Sequence, residues 1–396
     1  MTPSTADSPA RFDVAVIGAG IVGLAHAWHA VRAGLKVVVF ERDEFAVGAS
    51  VRNFGHVCTS AQSGRAYEYA LRAREEWLTI ADAAGIPVAQ AGTVALARRP
   101  EELAVLEEFA DERGDDILML TADQAAAKLG FAADGALGGA WLRLDLRVDA
   151  PTAVPAIAAH LAGLGVEIRY RANVLAVQTG RVITTRGEVA ADRIIVAVGH
   201  DVDRFFPDAA DEHGVLRCRL RMIEADVSAD LTVNPALFTG TSLLRYDGFA
   251  ETKAAEALRD ALHRETPELV EHGVNLMMTQ RMPHTAQAGR LVLGDTHHYG
   301  VTETPFEDEE SDAVLLEHFR RLFGAELTVR RRWRGVYASS PNGPYLVADP
   351  APGVTAVSVT SGIGMTTALG LAASVLDLDR PRLEPALTRP STAHTK

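Results

Sequence analysis

Residues Phe12 to Asp43 read "FDVAVIGAGIVGLAHAWHAVRAGLKVVVFERD". The apolar, β-rich run "FDVAVI" ends at Gly18, a helical period follows from about Ile21 to Ala33, Gly34 stops it, and "KVVVFE" is a second strand. Two strands joined this tightly through a helix predict a β-α-β unit and the start of a parallel sheet. Gly18 permits the tight turn. Gly20 lets a pyrophosphate approach the helix N-terminus, where the Ile21 and Val22 N–H groups and the helix dipole favour an anion. Gly23 lets the helix lie close on the sheet. Glu41 ends the second strand, where a carboxylate takes a ribose hydroxyl pair and disfavours a 2′-phosphate. Glycines serving packing alone are the alternative, but strand, helix, second strand and acid are all in place. The segment reads as a dinucleotide grip for FAD or NAD.

The chain has 396 residues, which suits two domains or one with a large insertion. Apolar residues make up 47% and charged residues 23%, as in an ordinary globular protein. The net charge of −13 argues against nucleic acid as partner, and an anionic substrate needs a local cluster of Arg or His. No apolar run is long enough to predict a membrane helix. Met1 to Arg11 lack the marks of a signal peptide and are expected to form a loose tail; the Pro-containing segment after Arg380 is expected to fray. Cys58 and Cys218 stand far apart in no metal spacing, so the expectation is a cytoplasmic protein without a disulfide framework. Lys occurs only at 36, 128, 253 and 396, which limits the choice of a catalytic lysine.

Beyond the opening unit, helices are expected over Arg65–Ala84, from Pro100 and over about Pro151–Leu164. "RIIVAVG" reads as another buried member of the parallel sheet. Residues 215–335 alternate strand-like runs with polar loops, which predicts a mostly antiparallel sheet closed by the helix "EESDAVLLEHFRRLFG". The predicted fold class is therefore α/β: a discontinuous Rossmann-like nucleotide domain (1–85, 145–214, 336–396) and an α+β substrate domain (86–144, 215–335). Two remote segments sharpen the cofactor. "GASVRNFGHV" follows the second strand where an NAD dehydrogenase usually passes into its next helix. Its Gly48, Ala49, Ser50, Asn53, Phe54, Gly55 and His56 suit a backbone running along a pyrophosphate, ribityl chain and flavin edge, although a surface turn has the same composition. "SGIGMTTALG" opens a helix through Gly362, Ile363, Gly364, Met365 and Thr366, whose N–H groups suit the anionic edge of a reduced flavin, although an ordinary helix start reads alike.

Taken in order, "DVAVIGAGIVGLA", "VVVFER", the Gly48–Val57 loop, "VDAPTAVPAIAAHLAGLGVEI", "ADRIIVAVG" and "GIGMTTALG" resemble the FAD-dependent D-amino-acid oxidase superfamily, which contains glycine and sarcosine oxidases. The resemblance spans nearly the whole chain. It implies FAD, a Val174 backbone contact on the adenine side, Ala197, Val198 and Gly199 along the nucleotide, and Arg42 near the adenosine. "GASVRNFGHV", "GDTHHYG" and "GVYASSPNGPYL" are similar to a bacterial subgroup associated with aminophosphonate breakdown. The departures are informative. Where glycine-oxidase-like enzymes carry Trp-x-Gly-Leu-Arg-Pro, this chain has Trp333-Arg334-Gly335-Val336-Tyr337-Ala338. Tyr337 thus replaces the Arg that grips a carboxylate. Gly335 stands where sarcosine oxidases attach FAD through cysteine, which implies a non-covalent cofactor bordered by Gly335 and Tyr337. The strand that carries an oxygen-activating Lys in that group has Val292 and Leu293 here, so either O2 or another acceptor is open.

The candidates for holding an anionic amine are Arg52, Gln280, Arg281, His284, His297, His298 and Tyr337. Consecutive His297 and His298 on a strand point to opposite faces, so at most one enters a site. Asp295 with His297 is too sparse for a metal site, and none is expected. The expected reaction is hydride transfer from the carbon beside a neutral amine to flavin N5, followed by hydrolysis of the imine to an aldehyde. The expected substrate is an N-methyl or hydroxy relative of 2-aminoethylphosphonate. No essential protein base is assigned. The alternatives are a secondary-amine, D-amino-acid or glycine oxidase with a relocated Arg, an NAD-dependent dehydrogenase, and a non-catalytic FAD-binding subunit.

Overall fold

The computed structural model describes residues 10–228 and 231–376. The expected loose N-terminal tail, apart from Ala10 and Arg11, and the segment after Arg380 lie outside them. Strand β1 (Arg11–Ile17), helix α1 (Ile21–Arg32) and strand β2 (Val37–Phe40) form the opening unit, with β1 and β2 parallel. Val14 to Ile17 and all of β2 are buried, as expected of a sheet covered on both faces. Gly34 has φ +77°, the left-handed conformation that ends the helix at little cost.

Around β1 an eight-stranded sheet assembles from distant pieces. Gly187–Val196 pairs parallel with β1 on one side, Val354–Val359 pairs parallel beyond it, and Glu167–Arg169 lies beyond β2. Helices α1, Gly64–Ala84, Ala150–Gly163 and Gly364–Val375 pack into one apolar core with this sheet. His29, buried in α1, makes a 2.7 Å hydrogen bond to the Leu369 carbonyl and ties the first helix to the last.

A second, nine-stranded sheet contains Leu216–Val227, Leu291–Thr296, Val274–Gln280 and Leu327–Ser339, paired antiparallel. Strands Thr93–Ala97, Gly138–Leu142 and Ile117–Thr121 extend it, and Ala236–Phe238 joins it in parallel to Thr93–Ala97. The helix Glu309–Phe323 covers it with Leu315, Phe319 and Leu322 buried.

Residues 240–271 lie in the region expected to alternate strands with polar loops. The segment instead folds into the short helices Gly240–Leu243, Asp247–Ala250, Ala254–Glu265 and Pro267–Glu271. The buried Ala255, Leu258, Ala261 and Leu262 follow a helical spacing that was present in the sequence. Behind the second sheet, Glu224 is fully buried and accepts a hydrogen bond from Arg281 Nε at 3.2 Å. Glu224→Ala is expected to destabilise the holoprotein by about 3 kcal/mol, because a desolvated cation loses a partner. Urea unfolding followed by fluorescence checks this, and an unchanged midpoint would refute it.

Candidate flavin and substrate site

A cavity of about 540 Å³ runs from the end of β1 to the second sheet. Every sequence-nominated cofactor residue lines it except Gly23 and Gly55, which are packing glycines. A Cβ on Gly23 would lie 1.9 Å from the Gly18 carbonyl oxygen, and one on Gly55 would lie 1.8 Å from that of Val148. Two helices open onto the cavity, α1 and Gly364–Val375. Neither has an acidic residue in its first turn, and neither N-cap residue caps its helix with its own side chain. Their positive ends therefore face the cavity without an internal counter-charge.

The nucleotide end is preorganised by short-range bonds. Glu41 accepts from the Ala19 N–H and the Asp43 N–H, both at 3.0 Å, which fixes its carboxylate beside the turn. Ser50 Oγ accepts from the Ile21 N–H at 2.9 Å and binds the Gly48–Val57 loop to α1. Asn53 donates to the Ala49 and Ser50 carbonyls and accepts from the Gly55 N–H, so it shapes that loop from within. Arg42 pairs with Asp201 at 2.8 Å.

At the opposite end the anion candidates separate. Arg52, His297 and Tyr337 line the cavity, whereas Gln280, Arg281, His284 and His298 do not. Gln280 is consumed inside the fold: it accepts from the Val233 N–H and donates to the Leu231 and Gly289 carbonyls. Arg281 is held by Glu224 and Asp149. His284 sits exposed in a turn. His298 faces away from His297, where burial and the Arg219 charge lower its pKa.

The residue that sequence reasoning missed is Arg245, between two of the unforeseen helices. Its Nη2 donates to Tyr337 Oη at 2.8 Å and to the Ser361 carbonyl at 3.2 Å, and its Nε donates to His297 Nε2 at 3.4 Å. No carboxylate lies within ion-pair distance of it among the described residues, and it lines the cavity. The same holds for Arg52, whose Nη1 donates to the Arg334 carbonyl at 3.1 Å. The Tyr337 ring rests on Gly362, where a Cβ would fall 2.9 Å from Cζ; only glycine fits there. Arg245 thus brings a guanidinium into the cavity beside Tyr337, the residue that stands at the position of the resembled family's arginine. No local signal in "TSLLRYDGF" marks that arginine.

Three other titratable groups beside the cavity keep one charge state near neutrality. His297 donates Nδ1–H to the Gly273 carbonyl at 3.2 Å, and burial with the Arg245 charge pushes its pKa down to about 3. Burial pushes the Cys218 thiol up to about 11 and the Tyr337 phenol well above its usual range. His56, Cys58 and Asp145 cluster behind the loop, but Asp145 already accepts from the Ser60 N–H and from Thr93 Oγ1, so this is a hydrogen-bonded brace.

A family profile described as DAO, FAD dependent oxidoreductase, matches residues 13–378. The chain belongs to this family. Its cofactor is FAD, and the two helix N-termini without acidic first turns, the two glycine turns and the fixed Glu41 fit that dinucleotide. Glycine oxidase of Bacillus licheniformis is 26% identical over 202 residues, covering 48% of this chain and 54% of that protein. The match thus spans about half the length of that curated relative. Among solved structures, L-proline dehydrogenase from P. horikoshii superposes with a TM-score of 0.75 at 18% identity, covering 94% of each chain. Glycine oxidase from Bacillus cereus ATCC 14579 gives 0.72 at 19%, covering 93% of this chain and 95% of that one. At these identities the structures share the fold. No helix among the described residues is long and apolar enough to cross a membrane.

Proposed function

We propose that this chain is an amine oxidoreductase whose substrate carries an anionic group held by Arg245. The supporting observation is the Arg245 guanidinium itself: it faces the cavity, is braced by three hydrogen bonds and has no carboxylate partner among the described residues. A desolvated cation of this kind is costly unless an anion completes it. Arg52, Tyr337 and the 245 guanidinium together offer more donors than a carboxylate needs. That favours a tetrahedral phosphonate, and we read the substrate as an N-methyl or hydroxy relative of 2-aminoethylphosphonate. A carboxylate amine of the glycine or secondary-amine type is the second reading, favoured by the presence of one fully braced arginine.

When bound, FAD supplies the two-electron oxidation of the C–N bond. The chain's own residues position and shield. Arg245 fixes the anion, Tyr337 fixes Arg245, and Leu220, Met222 and Met277 provide apolar walls that exclude water. The product imine hydrolyses to an aldehyde. FAD held without a covalent link, a discontinuous FAD-binding unit beside a substrate unit, and a cytoplasmic location are parts of the same reading.

The test is anaerobic mixing of the purified flavoprotein with 2-aminoethylphosphonate, its N-methyl and hydroxylated forms, glycine and sarcosine. Bleaching of the visible flavin band by an aminophosphonate is the expected result. Bleaching by glycine or sarcosine alone would select the second reading, and no bleaching at all would leave a passive FAD subunit. Oxygen uptake on readmitting air then identifies the electron acceptor.

A further inference from the structure

The proposed function accounts for the substrate's anion but leaves one buried acid without a role. Asp295, on the strand Leu291–Thr296, is 5% exposed and lines the same cavity as Arg245. Its Oδ1 accepts from Asn275 Nδ2 at 3.1 Å. The nitrogen near Oδ2 is His297 Nε2, at 3.6 Å. That nitrogen carries no proton to give. The ring's N–H sits on Nδ1, committed to Gly273, and Nε2 already accepts from Arg245. Oδ2 is therefore an acceptor to which no neighbouring side chain donates among the described residues.

The groups that face this carboxyl are Arg245 from the helical segment, His297 just past the end of its own strand, Tyr246, Tyr299 and Cys218, with Tyr337 behind His297. None of the others changes charge near neutrality. Arginine stays charged, His297 stays neutral, and burial raises the phenols and the thiol. Asp295 differs. Burial pushes its carboxyl up to about 7, against the pull of Arg245, the Asn275 hydrogen bond and the hydrogen bond from its own backbone N–H.

An amine must be neutral to be oxidised at the adjoining carbon, yet a free alkylamine has a pKa of about 10 and is almost wholly protonated at neutral pH. We propose that Asp295 is the amine-recognition residue of this cavity: its Oδ2 accepts a hydrogen bond from the substrate ammonium and then takes its proton, while Arg245 holds the anion. This rests on the amine-oxidation reading and extends it. The step balances without a redox partner: an N–H bond breaks, an O–H bond forms, the pair of electrons stays on nitrogen as its lone pair, and the carboxylate becomes a carboxylic acid. The positive charge of Arg245 and the apolar walls lower the ammonium's own pKa, which brings it toward that of its acceptor.

The test is the pH profile of anaerobic flavin bleaching by the amine that reduces wild type fastest, from about pH 5 to about pH 10. The ionised carboxylate is the competent form, so the wild-type rate is expected to be present above the Asp295 pKa and to fall as pH drops through about 7. Asp295→Asn is expected to lose that limb. Its rate should be about 10²–10⁴-fold lower at neutral pH and recover toward wild type as pH approaches the amine's own pKa. A loss equal at every pH, or a limb persisting near neutrality, would overturn the proposal. If Asp295→Asn fails to retain flavin, Asn275→Ala serves: removing the hydrogen bond that favours the carboxylate should move the wild-type limb to higher pH, and an unmoved limb is the overturning result. If no amine bleaches the wild type, the functional reading fails and calorimetry on the holoprotein decides about Asp295. Asp295→Asn should then weaken 2-aminoethylphosphonate by about tenfold or more while leaving ethylphosphonate unchanged. Parallel changes for both ligands would sink the assignment.

Discussion

Arg245→Ala is expected to lower kcat/KM for the anionic amine by about two to three orders of magnitude. Truncating one side of a desolvated charge pair costs about 2–5 kcal/mol, and each 1.4 kcal/mol is tenfold. The loss should be specific to the anion. An amine of the same length without an acidic group should suffer little, since it never used the guanidinium. The flavin should stay bound, because the nucleotide grip at Gly18–Gly23 and Glu41 lies at the other end of the cavity. Arg245→Lys should recover only part of the loss, since an ammonium cannot hold Tyr337, Ser361 and His297 at once and still offer a fork to the ligand. Steady-state kinetics on the paired substrates checks this. An equal loss for charged and uncharged amines would make Arg245 a structural brace.

The second large effect concerns the cofactor. Gly23→Ala places a methyl group 1.9 Å from the Gly18 carbonyl oxygen and 3.2 Å from Val16 Cγ1. The obstacle is backbone, so α1 must move off the sheet, and its N-terminal N–H groups move with it. Overpacking of this kind costs about 1–3 kcal/mol, which corresponds to FAD binding weaker by about 10–100-fold. Titration of the apoprotein with FAD, followed by fluorescence quenching, measures it. Gly34→Asn is the control: Gly34 also ends α1, but a Cβ there meets nothing within 4 Å, and asparagine tolerates its positive φ. Wild-type FAD affinity in Gly23→Ala would remove the close-packing argument.

Legibility followed the range of the interactions. The opening unit could be read because periodicity, a stop glycine and a terminal acid are local facts within Phe12–Asp43, and the structure pairs β1 and β2 as those facts require. The loop after β2 and the turn before the last helix were readable for the same reason, through their small residues. The helices in 240–271 are short, two of them of four residues, so little periodicity marks them among the polar loops expected over 215–335. Among the anion candidates, residue type alone nominated Gln280 and Arg281, and the fold spends both on internal partners.

By itself the sequence determined the nucleotide-binding unit, and the order of its motifs carried the resemblance to the FAD family that marks Tyr337 as a departure. The unit depends on residue types at short, fixed spacings. The tertiary structure alone put Arg245 and Asp295 into one cavity with Tyr337. Arg245, the Asp295–His297 pair, Tyr337 and Ser361 come from four separate segments, brought together by the register that sets Cys218 against Tyr337 and Met222 against Gly294. A charge becomes chemically meaningful there only through desolvation and the lack of a partner, and both are properties of the folded cavity.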